Sequence, residues 1–346
     1  MKNRNNSNID IIKIIGILFI IAHHFVYDAI SLNIIDSSNY FYNFLYLGGK
    51  FGTALFVIIS GYFISKKEFE FKRILKLIIR VEIYSYLLFF IFAFVFKYKI
   101  DFTNTMKSLL PVITNRYWFA TSYVILYFLS PYINVVIDKI NKTMYIKLLI
   151  LLTILLIFFP ILNFNYIFNN TSCLIYYYLI GAYINKYEFK IFSKNYLHLI
   201  TSILLYLLIF ISSIVILKLS SAHHFLIGRE YYFTRLNSIL VVGSSVLCFI
   251  YFINSKIKYR RIFGFLSAST FGIYLLHDNY LIKNYIFPEV FKYIQMSNYK
   301  YVYSILFILI VFVICAVIDY FVSLFINWLF KHFSRRKKSL ENVQNV

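Results

Sequence analysis

Residues 10 to 25 read Asp10-Ile-Ile-Lys-Ile-Ile-Gly-Ile-Leu-Phe-Ile-Ile-Ala-His-His-Phe25. The run is apolar apart from Asp10, Lys13 and the pair His23 and His24, and its continuous apolarity reads as a buried helix rather than an alternating strand. Eleven helical steps separate Lys13 from His24. They advance about 1100°, roughly 20° past three whole turns, so the two side chains share a face about 16 Å apart along the axis. One face thus presents a cation at one depth and a titratable base at another. A retained signal anchor with a charged foot and interfacial histidines is the plainer reading of the same residues.

The rest of the chain fixes the setting of that helix. Its 346 residues are 61% hydrophobic and 14% charged, with a mean hydropathy of +0.72, too apolar for a soluble domain of this length. Backbone groups cannot stay unpaired in hydrocarbon, and apolar runs near twenty residues select helices over a closed barrel. The expected fold is therefore all-α: a polytopic integral membrane bundle of about ten transmembrane helices. The spans are drawn at 9–26, 46–64, 74–96, 118–137, 147–164, 171–184, 197–217, 236–253, 265–282 and 301–329. Residues 1–332 form the membrane domain and 333–346 a basic tail.

Charge placement gives direction. Assigned to alternate connections, Lys and Arg number 21 on the side of the N-terminus and 10 on the other, which predicts an N-in, C-in protein with the tail in the cytoplasm. The net charge of +21 then reads as topology signal and headgroup contact with the lipid bilayer, not as a nucleic-acid surface. Cys173, Cys248 and Cys315 fall inside spans without paired spacing, so no disulfide framework or metal site is expected. The richness in Ile, Lys, Asn, Phe and Tyr points to an AT-rich, bacterial genome.

Ionisable groups inside spans are functional candidates by default. On the third span Arg73, Lys76 and Arg80 lie near 0°, 300° and 340°, a basic stripe descending from the cytoplasmic face. Snorkelling to headgroups accounts for Arg73 and Lys76; Arg80 sits about two turns deeper. Such a stripe suits phosphate, and coenzyme A would place its phosphates there with its thin uncharged arm threaded toward His24. His277 falls at a depth comparable to His24, with a structural role as the alternative. Trp118 is either an aromatic-belt residue or a sugar-stacking platform. His223 and His224 read as solvated loop residues, and Ser60 and Gly61 as small residues permitting close helix packing.

These stretches together resemble the acyltransferase 3 family of membrane proteins. The family's hallmark is a basic residue, ten residues and then histidine in the first span, here Lys13 to His24, with lysine where arginine is usual. A basic pair spaced by two residues opens the third span, here Arg73-Ile-Leu-Lys76, again with one lysine for arginine. Further similar stretches are Phe56-Val-Ile-Ile-Ser-Gly-Tyr62, Tyr117-Trp-Phe-Ala-Thr-Ser-Tyr-Val-Ile-Leu-Tyr127 leading to Pro131, and Phe271-Gly-Ile-Tyr-Leu-Leu-His277.

The resemblance implies an O-acyltransferase of the bacterial cell membrane. It would move an acyl group, commonly acetyl, from cytoplasmic acyl-CoA (acetyl-CoA) to a hydroxyl of an exopolysaccharide, capsule or cell-wall glycan. Without the extracytoplasmic domain of some relatives, the chain would finish the transfer itself or hand the group to a glycan-assembly protein. His24 is the expected catalytic residue, as general base or transient acyl acceptor, both of which need a neutral imidazole. Lys13, Arg73, Lys76 and Arg80 are expected to bind the donor, and Trp118, Tyr274 and His277 to shape the acceptor side. His23, rotated about 100° from His24, is expected to tolerate substitution. A polysaccharide-precursor flippase and a non-catalytic scaffold are the rivals; the flippase would show paired acids at the midplane or broken helices rich in Gly and Pro, and the spans show little of either.

Overall fold

Satisfying every backbone group inside hydrocarbon leaves helix as the answer along almost the whole chain. The computed structural model describes residues 7–31, 38–161, 169–220, 222–227 and 229–344, with the side chains of 161, 225 and 333–344 outside the description. Lys2 and Arg4 of the N-terminal charge set lie outside the described residues, as do the side chains of Arg335, Arg336, Lys337 and Lys338. Among the described residues there is no β-strand.

The helices are α1 (Asn8–Ser31), α2 (Tyr40–Tyr46), α3 (Gly48–Ile64), α4 (Phe71–Phe90), α5 (Phe102–Leu109), α6 (Trp118–Lys139), α7 (Lys142–Thr153) and the single turn α8 (Phe159–Ile161). They continue with α9 (Asn170–Tyr187), α10 (Asn195–Ser220), α11 (Ile239–Asn254), α12 (Arg261–Ala268), α13 (Thr270–His277), α14 (Phe287–Gln295) and α15 (Lys300–Gln344). Wide π turns extend α4 over Ile91–Val95, join α7 to α8 over Ile154–Phe158 and lead into α14 over Ile282–Ile286.

Helical passes stand at all ten expected positions, and seven are long and apolar enough by themselves to cross a membrane. The fifth, sixth and ninth differ for physical reasons. The fifth runs through α7 and α8 with a π turn inside it, and residues 162–164 of its expected span lie outside the described residues. The sixth, α9, has most of its length buried, including Tyr176, Tyr177 and Tyr178, so protein rather than lipid meets its polar groups. The ninth is not one helix: it is interrupted at Ser269, between α12 and α13. The last helix, 45 residues from Lys300, is about 67 Å long at 1.5 Å per residue. It carries the expected tail, to Gln344, as a continuation of its own axis.

Hydrogen bonds gather the connections at two ends. At one, the Ser7 amide donates to the Ile257 carbonyl, Asn185 donates to the Tyr62 carbonyl, and Lys186 caps the end of α6 at the Ile137 carbonyl, 2.6 Å away. This end holds Lys66, Lys67, Arg73 and Lys186, and is called the basic end below. At the far end Asn39 donates to Tyr301, Tyr177 to the Leu236 carbonyl and Arg116 to Asn104. There Asp101 caps α5, accepting from the amide of Asn104 at 2.9 Å and its side chain at 2.6 Å. Those bonds hold its carboxyl below the usual carboxylate range.

The centre of the bundle is α1, α3 and α9. A Cβ on Gly61 would collide with the Tyr178 carbonyl, and one on Gly181 with that of Ile58. Helices α3 and α9 therefore touch backbone to backbone, which only small residues allow. The three cysteines are free and buried.

Candidate active site

A cavity of about 1800 Å³ runs along α1, bordered by α3, α4, α12, α13 and α15. Lys13, Arg73, Lys76 and Arg80 line it toward the basic end. His24, Trp118 and Tyr274 line it too, so seven of the eight residues expected from sequence share one space. Lys13 and His24 both face it, as helical spacing predicts. His277 stands behind His24, with the ring centres 5.2 Å apart.

At the basic end each of the three expected donor-binding cations of α4 has a partner that fixes its direction. Arg73 meets Glu70 at 2.7 Å, and Lys76 donates to Asn327 Oδ1 at 3.2 Å. Arg80 reaches across to α15, where it lies 3.2 Å from Asp319 Oδ1 and also donates to Ser323. Tyr84, one turn further along α4, donates to the same Asp319 oxygen at 2.6 Å. Asp319 is 1% exposed. A carboxylate so buried is tolerable only because a guanidinium and two hydroxyls surround it. A Cβ on Gly272 would collide with that carboxylate, so the glycine of Phe271-Gly-Ile-Tyr-Leu-Leu-His277 makes room for an ion pair.

The far end carries the titratable groups. His24 Nδ1 lies 3.4 Å from Asp278 Oδ1, and the same oxygen accepts from Lys283 Nζ at 2.8 Å. His277 donates from Nδ1 to the Ile273 carbonyl at 2.6 Å. Its Nε2 is buried with no hydrogen-bond partner among the described residues. A carboxylate thus stands behind one nitrogen of His24, close enough to favour a positive charge on the ring, though the 3.4 Å separation is not a formed hydrogen bond.

His23 stays close to its neighbour in space. It also lines the cavity, because a 100° rotation stays within so wide a space. It is held by its Nδ1 proton on the Tyr46 carbonyl, 2.5 Å away. Trp118 is present as expected, but the Lys50 ammonium lies over its ring, 4.3 Å from the centroid. His223 and His224 are exposed and outside the cavity.

Sequence reasoning missed Lys50, Asp278, Lys283 and Asp319. The rule that drew attention to Arg80, an ionisable group within a span, applies equally to Lys50 and Asp319, and Asp278 directly follows His277. Asp10, Asp28, Asp278 and Asp319 are all buried, and α12 breaks from α13 at Ser269. The break lets Ser267 donate to Asp10 Oδ1 at 2.5 Å. Among the described residues no group of three His, Cys, Asp or Glu side chains converges to hold a metal ion.

Comparison with known families decides what kind of protein carries this cavity. Residues 6–332 match the model of the acyltransferase 3 family, described as an acyltransferase domain. The chain belongs to that family. It is a multi-pass membrane acyltransferase, and the matched segment contains the whole cavity. No curated protein and no solved structure matched the chain.

Proposed function

We propose that the protein transfers an acyl group, acetyl foremost, from acyl-CoA to a hydroxyl of a cell-surface or exported carbohydrate at a bacterial cell membrane. The observation that carries this reading is the continuity of one cavity between the basic cluster at Lys13, Arg73, Lys76 and Arg80 and the imidazole of His24. The Lys and Arg bias assigns the basic end to the cytoplasm, where acyl-CoA is made. Guanidinium and ammonium groups there take its phosphates, and the uncharged arm carries the thioester along α1 toward His24.

In this reading His24 is the general base. The acceptor hydroxyl gives its proton to the free imidazole nitrogen as its oxygen attacks the thioester carbonyl. The tetrahedral intermediate then collapses, the C–S bond breaks, and the imidazolium returns the proton to the leaving sulfur. Asp278 stabilises the imidazolium that forms between the two transfers, and Lys283, which donates to that carboxylate, holds it in place. The position of a carboxylate behind Nδ1 favours this base role over a transient acyl-histidine. Trp118 and Tyr274 border the acceptor side, and His277 backs the ring of His24.

Release of free CoA from acetyl-CoA by the purified protein in nanodiscs, with a bacterial surface glycan as acceptor, tests the reading. Wild type should release CoA in proportion to acetyl ester formed, and Arg80→Gln should raise the donor KM while leaving the acceptor KM in place. Movement of glycan across proteoliposomes without ester formation would support the flippase instead.

A further inference from the structure

Lys50 occupies an unusual place for an ammonium. It stands in the first turn of α3, at the far end, and it lines the cavity with His24. The neighbouring Gly49 packs so closely on His23 that a Cβ there would collide with the imidazole, which puts Lys50 at the depth of the histidine pair. Its Nζ lies over the Trp118 ring. No ion pair among the described residues includes it, whereas Arg73, Arg80 and Lys283 each have a carboxylate. Two carboxylates, Asp28 and Asp278, are buried near that end; Asp278 already takes Lys283 and faces His24, and neither forms an ion pair with Lys50.

An aromatic face attracts a cation but does not neutralise it. A cation withdrawn from water without an anion is costly, and the cost falls when an anion arrives. The donor does not supply that anion here: its phosphates belong at the basic end, and Lys13, which lines that end, is about 16 Å from His24 along α1. What enters from the far side is the acceptor.

We propose that Lys50 is an anion subsite for the acceptor, so that the carbohydrate acylated at His24 carries a carboxylate or a phosphodiester close to the reacting hydroxyl. The proposal rests on the acyl-transfer reading above and adds the acceptor's charge class to it. Trp118 holds the ammonium in place from one face, and the anion approaches from the cavity. Lys50 thus selects the acceptor and sets its register against His24.

The test is binding, so that it does not depend on turnover. The full-length protein in nanodiscs is titrated by calorimetry with three oligosaccharide probes of equal length: a neutral glucan, a hexuronate and a glycerol-phosphate-substituted glycan. One charged probe should bind at least about tenfold more tightly than the neutral one. Which of the two does so separates a carboxylate from a phosphodiester. Lys50→Met should reduce that probe to the neutral level, and Lys50→Arg should keep the preference, which guards against simple misfolding. Equal binding of all three probes, or a preference that survives Lys50→Met, would overturn the proposal.

Kinetics separate this from a role of Lys50 in stabilising the oxyanion. An oxyanion role predicts that Lys50→Met lowers kcat for neutral and charged acceptors alike, which would also overturn the subsite. If acetyl-CoA is not turned over but charged-probe binding depends on Lys50, the subsite stands and the acyl-CoA reading fails.

Discussion

Asp278 Oδ1 lies 3.4 Å from His24 Nδ1 and 2.8 Å from Lys283 Nζ, so a base from α1, an acid at the end of α13 and a cation beyond it stand in a row. Asp278→Asn keeps the shape and removes the charge that steadies the imidazolium. It should lower kcat by about 100-fold or more, within the range for a positioned acid or base, while the donor KM stays near wild type. A rise in donor KM with kcat unchanged would assign Asp278 to binding.

Arg80 and Asp319 form the buried ion pair that ties α4 to α15. Removing one partner leaves an uncompensated charge, which costs roughly 3–5 kcal/mol. Asp319→Asn should therefore lower the melting temperature in detergent markedly and loosen the cavity wall that presents Arg80 to the donor. Thermal unfolding monitored by intrinsic fluorescence checks this. An unchanged melting temperature would mean that the pair contributes nothing net.

Gly272→Ala tests the same pair from the other side. The added methyl has no room beside the Asp319 carboxylate, so it should displace that group and raise the acetyl-CoA KM, even though Gly272 itself carries no functional group. A wild-type donor KM would show that α13 yields instead.

Arg73 and Lys76 stand at the mouth and are more exposed than Arg80. Arg73→Gln and Lys76→Gln should each raise the donor KM several-fold at low ionic strength. The gap from wild type should narrow as salt rises, because screening acts on exposed charges first. Titration of CoA release against sodium chloride measures it. A gap that does not respond to salt would point to packing, for instance of Lys76 against Phe330, where the ammonium lies 5.1 Å from the ring centre.

The helical, polytopic fold was legible because hydrocarbon leaves little choice of structure, and seven passes announce themselves by length and apolarity alone. Lys13, His24 and the stripe from Arg73 to Arg80 were legible because helical period fixes relative direction on one helix. What period does not fix is contact between helices far apart in sequence. Arg80 and Asp319 are 239 positions apart, and nothing local to either predicts the pair. The break at Ser269 was equally hidden, since Ser267-Ala-Ser-Thr270 reads as an ordinary small-residue stretch until Asp10 is seen opposite it. That His23 shares the cavity with His24 was not legible, because rotation about one axis says nothing of how wide the neighbouring space is.

The most direct measurement compares wild type with His24→Ala in one preparation, following acetyl ester on the carbohydrate and free CoA together, with the amount of folded protein matched by size-exclusion chromatography. The account predicts that wild type forms ester and CoA in equal amounts. His24→Ala should lose both while still binding acetyl-CoA near wild-type affinity. Ester formation by His24→Ala at the wild-type rate would contradict it.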